Sequence, residues 1–330
     1  MTALWFTGPR QVALRDSSSA ALPEDGLRVR TEVSAISAGT ELLFYRGELE
    51  AGVSADASLQ WGAGPLQHPF QYGYASVGQV IEAGPGAPAG MRVGSRVFSF
   101  HPHQSEQVDV AAAFFPVPPG ISAAAATFVA NLETAVSLVM DGAALLGERV
   151  AVVGQGVVGQ LTAALLAQTG AEEVHLVDVV EARLSSRLLS PGARVTTATA
   201  LTAASRDGFD LVFELSGSPE ALDTALQLAR PGGRVVVGSW YGSRRAQVDF
   251  GTRMHRHRVS LQFSQVSTID PRHAGRFDRA RRLEVVWQWL RRIPVEALVT
   301  HRVPFGEAPR AYQLLDTARA DVLQVLLTHV

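Results

Sequence analysis

Gly154, Gly156 and Gly159 form the run GQGVVG, with an apolar stretch at 150–153 before it and an amphipathic stretch at 157–168 after it. Glycine at the first position allows a tight turn, and at the third it lets the backbone come close to a pyrophosphate. At the last it lets the following helix pack against the strand. The N-terminus of that helix then offers unpaired N–H groups and a positive dipole end to phosphate oxygens. Asp178 closes the next apolar stretch, about twenty residues on, where a carboxylate accepts hydrogen bonds from an adenosine ribose. The same carboxylate repels a 2′-phosphate, so NAD is expected as cofactor over NADP, with Arg183 nearby as the opposing feature.

The chain has no cysteine and no lysine. Disulfides, a thiolate nucleophile, cysteine-bearing metal sites, Schiff-base chemistry and a lysine proton relay are therefore excluded. A metal could still be held by His68, His101 and His103, two of them in a His-x-His pair, but no carboxylate or supporting partner is placed beside them. With 29 basic and 31 acidic residues and a net charge of −2, nothing global points to nucleic acid or to a membrane surface. The arginines scattered over 244–292 read as a solvated face, or as a receptor for an anionic substrate group. MTALWFTGPRQ at the start carries no basic leader, and no stretch reaches about 18 uncharged apolar residues. The expected location is the cytoplasm.

A length of 330 residues favours two domains. Short β-like runs at 27–36, 75–82 and 91–100, broken by Gly and Pro, suggest a compact β-rich domain. From 122 the pattern turns helical, and after 149 strands and helices alternate: strands at 150–153, 173–177, 209–215, 233–237 and 259–263, helices at 157–168, 181–189 and 219–229. Such alternation predicts parallel strands with crossover helices, an α/β doubly wound fold. A long helix over 274–292, a strand at 299–303, a helix at 307–315 and a strand at 322–327 close the chain.

VAVVGQGVVGQ, VDVVEAR, FDLVFELSGSPEALDTALQLARPGGRVVVGSW and the earlier VSAISAGTELLFYRGE, in this order, resemble the medium-chain dehydrogenase/reductase superfamily over nearly the whole length. SAISAGTE and SQVSTIDPRHAGRFDRARRL resemble a zinc-free branch related to bacteriochlorophyllide dehydrogenase. The resemblance implies a GroES-like catalytic domain from 1–131 and 266–330 and a Rossmann NAD(P)-binding domain from 132–265, with the nicotinamide in the cleft between them and a homodimer as the assembly. The family's zinc-ligand positions fall at Ala38, Tyr74 and Ala130, none of which can bind zinc as the family does, so no zinc is expected. Thr134, Val158, Ser216, Gly238 and Ser264 fall where the family contacts the nicotinamide, ribose and carboxamide, and the family's pyrophosphate arginine is replaced by Gln324.

Oxidation of an alcohol without a metal requires a side chain to take the hydroxyl proton. Four candidates arise: Tyr74, whose phenol could point into the space a metal would occupy; His101, with a pKa suited to acid/base work; Thr40, at the family's hydroxyl relay position; and Glu133. Each has a plainer reading, as space filler, turn residue or first-turn helix acid, and Glu41 beside Thr40 could hydrogen-bond locally or face solvent. The expected activity is hydride transfer between nicotinamide and a small-molecule alcohol or carbonyl. The alternatives are an NADPH-dependent quinone or enoyl reductase and an NAD(H)-binding sensor with little turnover.

Overall fold

The computed structural model describes residues 1–50, 52–54, 56, 59, 65–184, 188, 195–199, 208–317 and 321–329. Two compact units are present, Met1–Ala130 with Leu290–Val330, and Asn131–Trp289.

In the first unit, β1 (Thr2–Gly8) and β2 (Gln11–Asp16) form an antiparallel hairpin. They precede β3 (Gly26–Ala35), β4 (Ser76–Ala83), β5 (Arg96–Ser99), β6 (Glu106–Val110) and β7 (Phe114–Pro116). Ten residues long, β3 is the spine: it pairs with β4 along one edge and with β6 at its start. The helix Ala38–Arg46 follows β3 directly and ends at Gly47, whose φ of 71° closes it in the left-handed region. This helix, like the first hairpin, has no counterpart in the strand-and-turn pattern expected from sequence.

In the second unit, β8 (Arg149–Val153), β9 (Glu173–Val177), β10 (Val195–Ala198), β11 (Phe209–Glu214), β12 (Ala229–Val237) and β13 (Ser260–Phe263) form one parallel sheet. Its order is β10-β9-β8-β11-β12-β13, in which the chain reverses direction between β8 and β11; this is the doubly wound Rossmann arrangement. Both faces are apolar, as a sheet covered on two sides requires. Val150, Val152, Leu211 and Phe213 point to one core with Ala163 and Leu166 of the helix Val157–Leu166. Ala151, Val153, Val212 and Val235 point to the other with Leu222 and Leu226 of the helix Ala221–Leu228.

The helix expected over 181–189 is, among the described residues, only a 3-10 turn at Glu181–Arg183; residues 185–187 and 189 lie outside them. The helix expected from 274 begins at Arg279, because Asp278 accepts the Arg281 N–H at 2.8 Å and caps it there. Residues 266–289, which the sequence assigned to the returning catalytic segment, group with the second unit. The ion pair of Arg282 with Glu133 and the contacts of Arg272 and His273 with the Asp141 and Met140 carbonyls tie them there.

On return to the first unit, β14 (Val299–Pro304) and β15 (Gln324–Thr328) pair in parallel, and β15 joins the end of β3. The seven strands are ordered β14-β15-β3-β4-β5-β7, with β6 on β3, a GroES-like β-rich fold. A core of Leu4, Phe6, Phe44, Phe70, Tyr72 and Tyr312 lies against the helix Ala38–Arg46 and the helix Ala308–Thr317. Among the described residues no helix is long and apolar enough to cross a membrane.

Candidate active site: a dinucleotide row and a hydroxyl cluster

The parallel register places the predicted cofactor residues in one row. Val153 pairs with Val177 and Glu214, Glu214 with Val237, and Val237 with Phe263. Gly154, Asp178, Gly238 and Ser264 each follow one of these partners, and Ser216 lies one residue further on, so all five lie beyond the carboxyl ends of adjacent strands. That edge, at the reversal point, is where doubly wound sheets bind nucleotides.

The three glycines have different physical reasons. Gly154 has φ +93°, and a Cβ there would lie 2.4 Å from the Ser216 Cα. A Cβ on Gly159 would lie 1.9 Å from the Gly154 carbonyl oxygen, so the helix Val157–Leu166 can approach β8 only because nothing is there. Around a Cβ on Gly156 there is open space to 4 Å. Packing explains two of the three glycines, and the third leaves a cradle at a helix N-terminus that fits a pyrophosphate.

Asp178 is buried and accepts the Gln155 N–H at 2.7 Å through one oxygen and the Val180 N–H at 2.8 Å through the other. It therefore pins the glycine loop, and each oxygen keeps a lone pair for a ribose hydroxyl. Arg183 lies in the adjoining 3-10 turn, its carbonyl receiving Gln160 Nε2 at 3.5 Å. Val158, on the first turn of the helix, packs against the β8 core, and Thr134 lies on the helix Val129–Gly142. The Ser216 N–H donates to Glu214 Oε1 at 2.9 Å, and its hydroxyl donates to the same oxygen. Ser264 Oγ donates to Asp141 at 2.6 Å; burial pushes the Asp141 carboxyl up. At Gly238 a Cβ would stand 2.7 Å from the side-chain ends of Leu138 and Leu215, which would have to move to admit it.

Two candidates for proton transfer come together in the first unit. The Tyr74 hydroxyl donates to Ser37 Oγ and hydrogen-bonds the Thr40 side chain. Burial pushes its pKa up to about 12, the hydroxyl partners pulling the other way. At neutral pH it is a phenol, a donor rather than a base.

The other two candidates go elsewhere. His101 stacks on Phe114 and its Nε2 is 3.0 Å from Asp109 Oδ2, leaving a buried Nδ1 with no partner. The hydrogen bond from His101 holds the Asp109 carboxyl below its usual range. Glu133 lies in a buried ion pair, with Arg282 Nη2 at 2.8 Å and Nε at 3.1 Å from one carboxylate oxygen. Since Arg282 also donates to the Val266 and Thr268 carbonyls, this pair ties the helix Arg279–Leu290 to the helix Val129–Gly142. Gln324 is spent within the sheet, its amide donating to the Ile36 and Val325 carbonyls at 2.9 Å.

The family-type zinc does not fit these residues. Ala38 and Ala130 carry no donor atom, and the Tyr74 oxygen is engaged by two hydroxyls with its proton tightly held. The histidine alternative is not assembled either: among the described residues no three His, Asp or Glu side chains are grouped to hold a metal. His68 faces the Phe6 carbonyl, His101 faces Asp109 and His103 faces Glu41.

Sequence reasoning missed Ser37 and Glu214; it named Glu41, with a local hydrogen bond as one of its two readings, and His103 as a metal candidate alone. Far from facing solvent, Glu41 is fully buried; it accepts the Ser37 N–H at 2.7 Å, the Tyr312 hydroxyl, and His103 Nε2 at 3.1 Å. The one-turn spacing of Ser37 and Glu41 is a local signal that could have shown their pairing. Nothing local links Glu41 to His103 or Tyr312.

A glycine-loop Rossmann sheet and a GroES-like unit in one chain are the two folds of alcohol dehydrogenases. The zinc-binding dehydrogenase family profile matches residues 157–278. D-guloside 3-dehydrogenase of Escherichia coli K12 is 26% identical, over 94% of this chain and 95% of its own length. The 2-desacetyl-2-hydroxyethyl bacteriochlorophyllide A dehydrogenase of Cereibacter sphaeroides is 27% identical, over 73% and 74%. Among solved structures, the rspB alcohol dehydrogenase of E. coli CFT073, complexed with NADH, superposes with a TM-score of 0.77 at 18% identity, over 99% of each chain. Residues 157–278 thus match the zinc-binding dehydrogenase family, and along its length the chain is similar to dehydrogenases of the alcohol-dehydrogenase type.

Proposed function

We propose that this protein is an alcohol-dehydrogenase-like oxidoreductase that works without zinc, prefers NAD(H) over NADP(H), and moves hydride between the nicotinamide and a secondary alcohol or its ketone. The observation that carries the reading is the Tyr74 hydroxyl, at a position where the family places a metal ligand, gathered with Ser37 and Thr40.

Gly154, Gly156, Gly159 and Asp178 hold the dinucleotide, with Thr134, Val158, Arg183, Ser216, Gly238 and Ser264 completing the row. The bound nicotinamide supplies the hydride acceptor or donor. In the reductive direction Tyr74 donates its proton to the oxygen that gains charge as the carbonyl carbon receives hydride. Its phenol is reprotonated through Ser37 and Thr40, both part-exposed. Oxidation runs the same steps backwards, the substrate hydroxyl proton passing to the tyrosine oxygen as the tyrosine proton moves to Ser37. His101 and Glu133, committed to Asp109 and Arg282, take no part in this transfer. A homodimer in the cytoplasm, with the catalytic unit built from Met1–Ala130 and Leu290–Val330 and the cofactor unit from Asn131–Trp289, completes the reading.

Nicotinamide absorbance in single-turnover mixtures tests it, using a panel of methyl glycosides, chosen after the D-guloside relative, and simple secondary alcohols. The expected result is NADH formation unaffected by a chelator, and at least about a 100-fold loss of kcat in Tyr74→Phe, the usual size of an acid/base contribution. Full kcat in Tyr74→Phe would overturn the assignment of the donor.

A further inference from the structure

The hydroxyl cluster rests on a buried polar chain that hydride transfer does not itself require. Glu41 is 0% exposed and receives three donors. A carboxylate that loses water must recover its hydrogen bonds within the protein, and even then a buried pair adds little net stability over an apolar replacement. The arrangement calls for a positional explanation.

Two routes run from it to Tyr74. Through the first, Glu41 Oε1 accepts the Ser37 N–H, and Ser37 Oγ accepts the Tyr74 hydroxyl. Through the second, His103, held by Glu41 on Nε2 and by Ser34 Oγ at 2.8 Å on Nδ1, lies against Gly73. A Cβ on Gly73 would stand 2.8 Å from the His103 ring, and φ there is +127°, so the backbone step into Tyr74 is shaped over the imidazole. Tyr312, from the helix Ala308–Thr317, fixes the remaining side of Glu41. The groups facing Glu41 and His103 are thus Ser37, Tyr312, Ser34 and, behind Ser34 at 3.3 Å, His329.

We infer that Glu41, locked by His103 and Tyr312, is a positioning residue that sets the direction of the Tyr74 hydroxyl through Ser37. This rests on the reading of Tyr74 as proton donor. Glu41 touches neither substrate nor cofactor in it; without Glu41, Ser37 turns and the phenol loses its aim.

Protein labelled with 13C at the tyrosine ζ carbon gives a readout that needs no substrate. The Tyr74 resonance is identified as the one lost in Tyr74→Phe. Glu41→Gln and Ser37→Ala are expected each to shift that resonance and to lower kcat about tenfold or more on whichever panel substrate turns over, with the NADH Kd unchanged. In a Tyr74→Phe background neither is expected to lower kcat further, since residues acting through one group are not additive. Glu41→Asp is expected to restore part of kcat.

An unmoved Tyr74 resonance in both variants, or undiminished losses in the Tyr74→Phe background, would overturn the inference. If Glu41→Gln does not fold, Tyr312→Phe decides, because it removes a donor that locks Glu41 and leaves Ser37 intact; it too is expected to shift the Tyr74 resonance, and an unmoved resonance would overturn the inference. Full activity of Tyr74→Phe would instead sink the proton-donor reading, so the two failures are distinguishable.

Discussion

Gly156 caps the helix Val157–Leu166 and Gly159 lies in its first turn, yet substituting alanine should break different things. At Gly156 the backbone is extended, φ −70° and ψ −171°, a conformation any residue adopts, and a Cβ meets nothing within 4 Å. Alanine is a poorer N-cap than glycine by about 0.5–1 kcal/mol. It recovers about 0.4–1 kcal/mol by restricting the unfolded chain. The two nearly cancel, so the melting temperature of Gly156→Ala should stay close to that of the parent. Its methyl, however, occupies the cradle proposed for the pyrophosphate, and a loss of about 1.4 kcal/mol there is a tenfold rise in the NADH Kd. In Gly159→Ala the new carbon lies 1.9 Å from a main-chain oxygen that no rotamer can move. The helix must shift off the strand, at about 1–3 kcal/mol for overpacking. At 2–4 °C per kcal/mol for a domain of this size, that is a fall of about 2–12 °C. Fluorimetric melting and NADH fluorescence titration measure both quantities. Parental NADH affinity in folded Gly156→Ala would refute the placement of the pyrophosphate; a stable, unshifted Gly159→Ala would refute the packing argument.

Arg282→Met leaves the buried Glu133 carboxylate with Arg279 Nε, 3.7 Å away, as its remaining counter-ion among the described residues, and urea unfolding should show a loss of about 3 kcal/mol, the low end for a broken buried pair, while kcat per folded molecule stays unchanged. Asp178→Asn removes the charge facing the ribose site; fluorescence titration should give a weaker NADH Kd, by about tenfold, with NADPH unaffected or improved. His329 is pushed down to about 3, chiefly by burial and further by His103. The unfolded chain therefore binds the proton first: the contribution of neutral His329 is complete above about pH 6.5 and declines as pH falls towards 3, by at most about 1.4 kcal/mol per pH unit. His329→Gln should remove that slope from stability measured between pH 6.5 and 4.

The Rossmann half was largely legible because its signals are local and repeat. Val150 to Val153 alternate between two cores and the glycines fall at fixed spacings, and β9 lies where its apolar run predicts. The register then carries Asp178, Gly238 and Ser264 to one edge without further information. The first unit was less legible. The helix Ala38–Arg46 sits among β-like runs, and its defining contacts come from residues 62 and 271 positions away in sequence, His103 and Tyr312. Such pairing leaves no periodic trace, so Glu41 read as a local or solvated acid. Glu133 was misleading for the same reason, since its partner Arg282 is 149 residues distant. Residues 266–289 were assigned by resemblance rather than by pattern, and the Arg282 anchor with the Arg272 and His273 contacts holds them with the second unit.

Metal content measured on untagged, catalytically active protein, before and after exhaustive chelation, bears most directly on the central claim. The account predicts substoichiometric zinc and NAD-linked turnover that survives chelation unchanged. One tightly held zinc per chain, whose removal abolishes turnover and whose return restores it, would contradict it.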